Sequence, residues 1–183
     1  MVALQHAAVE QKDAILPQFG VNHRLVAPSP QAAAASALAH QPALRATTPE
    51  TARPVIVKIL TTAARRHQLD PHLVLALAFW ESGWDQSRVS STGAVGLMQV
   101  EPATAAEAGP ALLGRPVDIQ DPRDNADVGA AILRQNLDNF HDQTLALAAY
   151  YEGPNALRAN GLQPDAQQYA QGILSLASQM TNS

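Results

Sequence analysis

From about residue 51 onward the chain is dominated by apolar residues at helical spacing. Val55, Ile56, Ile59, Leu60 and Ala63 form one stripe, with Pro54 expected in the first turn. Arg65, Arg66 and His67 follow near the C-terminal end, where cations suit a helix dipole. Asp70-Pro71 reads as a second start signal, since an aspartate can cap free amides and a proline fits the first helical position. In the segment behind it, Val74, Leu77, Ala78 and Glu81 fall at i, i+3, i+4 and i+7 and share one face. Ser90-Ser91-Thr92-Gly93 reads as a turn, and the short apolar run AVGLMQV after it as a small strand or hairpin. Pro102 opens a brief helix through Ala106, and residues 109–124 read as loop. Further helices are expected over Asn125–Phe140, burying Val128, Ile132, Leu133 and Leu137, and over Thr144–Tyr150. Gly153-Pro154 and Gly161 mark loops, and a last helix from Pro164 buries Tyr169, Ile173, Leu174 and Ala177. The pattern predicts an all-α domain over residues 51–183 with at most a small β element.

Residues 1–50 break this pattern. A short amphipathic helix ending before Pro17 fits the first stretch, but it has neither the basic start nor the continuous apolar run of a signal peptide. Residues 27–50 are low in complexity, and Pro28, Pro30, Pro42 and Pro49 interrupt any long helix. The first fifty residues are expected to be a tail or linker, the alternative being a docking arm on the domain.

Composition narrows the function classes. A length of 183 residues suits a single core, and its Ala- and Leu-rich character favours helix. The net charge of -4 argues against nucleic acid as the main partner, because phosphate binding needs a basic face. With no cysteine there is neither a disulfide framework nor a thiolate metal site. The six histidines are scattered and lack the H-E-x-x-H spacing, so no metal site is expected. No Ser-His-Asp or phosphate-loop pattern stands out, and no apolar run approaches the ~18–20 residues of a membrane span.

The one anomaly is Glu81. It ends an otherwise apolar helix face, and burying its charge costs several kcal/mol unless it is paired or neutralised. Partial burial raises a carboxyl pKa. A carboxylic acid still protonated near neutral pH is what protonation of a departing glycosidic oxygen requires. The alternative is that Glu81 sits at a frayed helix end and points to water.

The residues that follow bear on this choice. Glu81-Ser82, Ser90, Gly93-Ala94-Val95-Gly96-Leu97-Met98-Gln99, Pro102 and Thr104 closely resemble the signature of the lytic transglycosylases of the goose-lysozyme-like, Slt type. A second block, LALAAYYEGPNAL over Leu145–Leu157, resembles that family's later Ala-Tyr-x-x-Gly-Pro motif. The resemblance covers about residues 53–180. It implies a lysozyme-like fold and cleavage of the β-1,4 bond between N-acetylmuramic acid and N-acetylglucosamine in peptidoglycan, with no metal or organic cofactor. It makes Glu81 acid and then base, places Ser90 close to the acid, and gives Gln99 a hydrogen bond to saccharide. It sets the backbone of the Gly96 run along the cleft, where a side chain at Gly96 would obstruct. Leu97 and Met98 could be plain core, although the resemblance places parts of this run along the sugar path, and for Met98 core and cleft weigh equally. Tyr150 is picked to orient either Glu81 or the substrate's acetamido group.

The sequence departs from the family pattern at Glu101, at Tyr151 in place of the usual Asn, and at Glu152 in place of the usual Ala. Because an ordinary glycosidase uses two carboxylates, a Glu101 or Glu152 facing Glu81 would permit hydrolysis. A hydrolytic, endolysin-like muramidase and a non-catalytic wall-binding module are therefore the alternatives. A monomer acting on glycan strands outside the cytoplasm, or delivered by a phage, is expected, although no export signal is visible.

Overall fold

The computed structural model describes residues 49–181. The expectation of a tail over residues 1–50 falls almost wholly outside them. Seven helices follow in order: α1 (Pro49–Arg66), α2 (Pro71–Ser82), α3 (Pro102–Ala108), α4 (Pro122–Phe140), α5 (Gln143–Glu152), α6 (Pro154–Asn160) and α7 (Pro164–Thr181). No strand forms among the described residues. The expected small β element is reduced to two isolated antiparallel bridges, Val89–Val95 and Val95–Val100.

The caps explain where the helices begin. Asp70 accepts a hydrogen bond from the His72 amide at 2.9 Å, and Asp121 accepts from the amides of Arg123 and Asp124 at 2.7 and 3.3 Å. Asp121-Pro122 is thus the same start signal as Asp70-Pro71, and it moves the opening of α4 ahead of the expected Asn125. Asp142 caps α5 through the Leu145 amide. Two stretches expected as loop are helical. Gly153-Pro154 ends α5 and opens α6, with glycine at positive φ and proline in the first helical position. Gly109–Leu113 extends α3 as one π-helical turn, closed by Gly114 at φ 68°. Pro54 lies inside α1 rather than in its first turn, because the helix begins at Pro49.

The core is one cluster. Leu60, Val74, Leu77, Leu97, Met98, Ile132, Leu133, Leu147 and Ile173 are among its fully buried members. Along the first stripe, Leu60 and Ala63 are buried but Val55 is 54% exposed, since α2 and α4 cover only the later turns of α1. Helix α2 packs against α1 on one side and α7 on the other, while α5 lies between α4 and α7.

A polar knot ties α1 to α4. Asp127 of α4 is buried and receives Arg66 at 2.6 Å, His67 at 2.8 Å and Arg115 at 3.3 Å. Arg115 also makes a two-pronged contact with Asp124. Burial pushes the Asp127 carboxyl up, but the His67 hydrogen bond and the Arg66 charge outweigh it, and the group is held below its ordinary value.

A depressed folded-state carboxyl contributes stability above its unfolded pKa and loses it as pH falls through the folded value. Asp127→Asn should therefore cost about 1–3 kcal/mol near neutral pH and progressively less below about pH 4. Denaturant unfolding at several pH values checks this, and a cost independent of pH would contradict the charge-based account.

Candidate active site

Glu81 is the one acidic residue of α2, lies on its buried face, and is only 8% exposed. Val74, Leu77 and Ala78, which share its face, are fully buried. The frayed-end alternative fails because the helix stops sharply. Gly83 takes a left-handed cap conformation at φ 69° and returns its amide to the Phe79 carbonyl at 2.8 Å. Trp84 also has positive φ, at 66°, which is uncommon for a bulky residue. Its indole N–H donates to the Leu75 carbonyl at 2.9 Å, and its ring meets Phe79 edge-on and Arg53 across its face. The chain thus leaves the helix directly after Glu81 and is anchored at once.

The buried carboxyl is answered by a tyrosine. The Tyr169 hydroxyl of α7 donates to Glu81 Oε1 in a short contact. Burial pushes the Tyr169 phenol well above its ordinary value, and the charge of Glu81 adds to this, so the phenol remains a donor throughout the neutral range. A donor aimed at a carboxylate favours its charged form, whereas burial favours the neutral form. The two effects oppose each other at Glu81.

Burial raises the phenol of Tyr150, the tyrosine picked from the sequence, and the charge of Glu81 also reaches it and adds to this. Tyr150 is fully buried, and its hydroxyl donates to the Met98 carbonyl at 2.8 Å. Tyr169, read from the sequence as core only, carries the contact with the acid. A signal was present: Tyr169 shares a buried stripe of α7 with Ile173 and Ala177, so its hydroxyl needs a partner inside the protein. Tyr151 is buried too, and its ring lies 4.8 Å from that of Tyr169. Burial raises its phenol, and the charges of Asp165, Glu152 and Glu81 act in the same direction.

The Gly96 run is packed inward. Leu97 and Met98 are fully buried and Gln99 nearly so. Gly96 has φ 80°, and a Cβ there would lie 2.5 Å from Asn125 Nδ2 and 2.6 Å from Gln86 Nε2. What a side chain at Gly96 would strike is this bracing, not an open cleft. Gln86 accepts from the Leu97 amide at 3.2 Å and donates to the Ile119 carbonyl at 2.9 Å. Asn125, fully buried, accepts from the Met98 amide at 2.9 Å and donates to the Val95 carbonyl at 2.7 Å. The Gln99 side-chain amide donates to the Gly96 and Arg88 carbonyls. Ser90 is half-buried. Its hydroxyl accepts from the Ala94 amide at 3.0 Å and meets the Thr92 hydroxyl at 2.9 Å, which closes the turn. The Ser82 hydroxyl lies between the Ala78 and Leu97 carbonyls, at 3.1 and 3.0 Å, and joins the end of α2 to this run.

A groove of about 500 Å³ lies elsewhere, between α1 and α4, lined by Val55, Lys58, Ile59, Arg66 and Arg123 among others. Arg66 and Asp127 of the polar knot border it, and Glu81, Ser90, Gln99, Tyr150 and Tyr169 do not. Among the described residues no cluster of His, Asp and Glu is arranged to hold a metal ion, and no helix is long and apolar enough to cross a membrane.

The family model for the Transglycosylase SLT domain matches residues 58–172. A transglycosylase of Enterobacteria phage PRD1 is 41% identical over 93 residues, which is 51% of this chain and 33% of that protein. The lytic transglycosylase Slt of Pseudomonas aeruginosa, solved as an inactive glutamate-to-glutamine mutant, matches with a TM-score of 0.61 and 28% identity over 68% of this chain and 24% of that one. The 70-kDa soluble lytic transglycosylase of Escherichia coli shares the fold, with a TM-score of 0.57 and 22% identity over 66% of this chain and 23% of that one. The chain thus spans about a third of the phage relative and about a quarter of each of these solved chains.

The two tyrosines should separate in experiment. Tyr169→Phe removes the donor to the charged form of Glu81, so the Glu81 carboxyl should titrate at higher pH. Tyr150→Phe should move that titration less and cost about 1–3 kcal/mol of stability, because the Met98 carbonyl loses its partner. NMR of the glutamate carboxyl carbons and denaturant unfolding check both. A titration that moves with Tyr150→Phe and stays with Tyr169→Phe would reverse the assignment.

Proposed function

The chain belongs to the transglycosylase SLT domain family, and from that premise we propose that it is an enzyme cleaving the β-1,4 bond between N-acetylmuramic acid and N-acetylglucosamine in peptidoglycan, leaving 1,6-anhydromuramic ends. The observation that carries this reading is a single carboxyl, Glu81, buried on a helix face and held by a phenol that stays protonated. The inactivity of the Pseudomonas enzyme's glutamate-to-glutamine mutant supports a role for one glutamate in this family.

Glu81 first gives its proton to the glycosidic oxygen as the bond to the muramic acid breaks. The substrate's own acetamido carbonyl stabilises the positive charge that develops. Glu81 is then a carboxylate, and the Tyr169 hydroxyl stabilises that form by donating to it. The carboxylate takes the proton from the C6 hydroxyl of the same sugar, whose oxygen closes the anhydro ring. Glu81 returns to its starting state, and no water is consumed. One group serves as acid and then base, which suits a site where burial and a hydrogen-bond donor pull its proton affinity in opposite directions. The buried Gly96–Gln99 run gives this site a wall, with half-buried Ser90 in the turn that leads into it. Glycan strands are the proposed partner, and a location outside the cytoplasm follows from that substrate.

One observation favours a second reading. The charges of Glu152 and Glu81 both raise the Tyr151 phenol, so a second carboxylate acts on a ring that packs against Tyr169. If Glu152 activates water, the enzyme is a hydrolysing muramidase.

Glu81→Gln keeps the shape of the side chain and cannot cycle a proton. Its release of soluble fragments from purified sacculi should fall by at least ~10²–10⁴, with a thermal midpoint within a few degrees of wild type. Near-normal release from a folded Glu81→Gln protein would remove Glu81 from the chemistry.

A further inference from the structure

Two glycines stand in helix interiors, Gly129 in α4 and Gly172 in α7. Glycine is a poor choice there on backbone grounds, and close packing accounts for both. A Cβ on Gly129 would come 2.5 Å from Met98 Cβ. On Gly172 it would come 2.2 Å from Cη2 and 2.6 Å from Cζ3 of Trp80. The first glycine admits the buried run that carries Met98, and the second admits a ring beside the acid. Trp80 directly precedes Glu81, and its indole meets the Tyr169 ring edge-on, with centroids 6.3 Å apart and planes at 86°. Tyr151 covers another side of the same ring at 4.8 Å. The phenol clamped between them is the one that donates to Glu81.

We propose that Gly172 is a positioning residue for Glu81: its missing side chain forms the slot that holds the Trp80 indole against Tyr169 and so keeps the Tyr169 hydroxyl on the carboxyl. The kinetic consequence rests on Glu81 being the acid of the reaction, whereas the slot itself does not. Alanine at 172 suits the helix better than glycine, but it cannot coexist with the indole in its present place. Trp80 is half-buried, so the ring can swing outward without opening the core. Tyr169 would then keep Tyr151 and lose its edge contact.

Tyr169 of α7 donates to Glu81, and the Glu81 charge also acts on Tyr150 and Tyr151 of α5. Glu152 and Asp165 act on Tyr151. At the end of α1, Arg66 and His67 are engaged by Asp127. Substituting the uncharged Gly172 adds no charge, and only loss of the donor moves the Glu81 titration upward, because greater exposure would move it down.

The test compares Gly172→Ala, Trp80→Phe and the double variant in the full chain. Turnover is measured on purified glycan strands, and the Glu81 carboxyl is titrated by NMR, with Glu81→Gln identifying its signal. Gly172→Ala should lower kcat about tenfold with KM changed by less than about twofold, and should move the Glu81 titration to higher pH. The smaller ring of Trp80→Phe leaves room for the added methyl, so the double variant should recover most of both losses. A merely structural role would lower the melting temperature and leave the titration of the folded protein in place, which would overturn the proposal. A double variant no better than Gly172→Ala would overturn it as well. If Gly172→Ala does not fold, Trp80→Leu empties the slot and must itself move the titration, and an unmoved titration there overturns the proposal. A shifted titration that the double variant restores, in a protein without turnover even as wild type, would uphold the positioning and refute the catalytic reading.

Discussion

The structure depends on placing one carboxyl on the core-facing stripe of a helix. A charge in that position is costly unless something answers it, and the surrounding elements are arranged to do so. Helix α7 lies across α2 and brings the Tyr169 hydroxyl to Glu81. Gly83 and Trp84 take left-handed conformations so that the chain leaves α2 one residue beyond the Glu81-Ser82 pair. Glu81 stays at the edge of the core, with 8% of the residue exposed.

The second constraint is the buried run from Ala94 to Val100. Its backbone is not satisfied by a sheet, since only isolated bridges form. Side chains take over that work. Gln86, Asn125 and Tyr150 supply partners to the amides of Leu97 and Met98 and to the carbonyls of Val95 and Met98. Polar groups so enclosed are worth most when every one is paired. That accounts for a fully buried asparagine, and for a glycine at 96 where any Cβ would strike it. The residues that look most like a binding motif in sequence are, in the fold, chiefly the bracing of a wall.

What could be read from sequence was local. Glu81 stood out because its neighbours on one helix face are apolar, and Asp70-Pro71 announced the helix that carries it. Asp121-Pro122 holds the same signal inside a proline- and glycine-rich stretch that otherwise reads as loop. Gly153-Pro154 and Gly109-Pro110 read as breaks; Gly153 does end α5 and Pro154 opens α6, whereas Gly109 keeps helical φ and ψ and carries α3 into its π-helical turn. Which tyrosine meets the acid was not local. The contact joins residues 88 positions apart and depends on how α7 crosses α2. Tyr150 sits in the motif that resembles the family's, whereas Tyr169 carries no motif and betrayed itself only as a hydroxyl on a buried stripe. Gly172 was less visible still, since a helix glycine gains meaning only when the ring opposite it is known.

The central claim is that one carboxyl acts as acid and then base, with the sugar's own hydroxyl as the nucleophile. Digestion of purified peptidoglycan in isotopically labelled water, followed by mass spectrometry of the muropeptides, tests it most directly. The account predicts muramic acid ends that lack the elements of water and carry no label. Reducing ends bearing the label would contradict it and would show that water, activated by a second group such as Glu152, attacks the sugar instead.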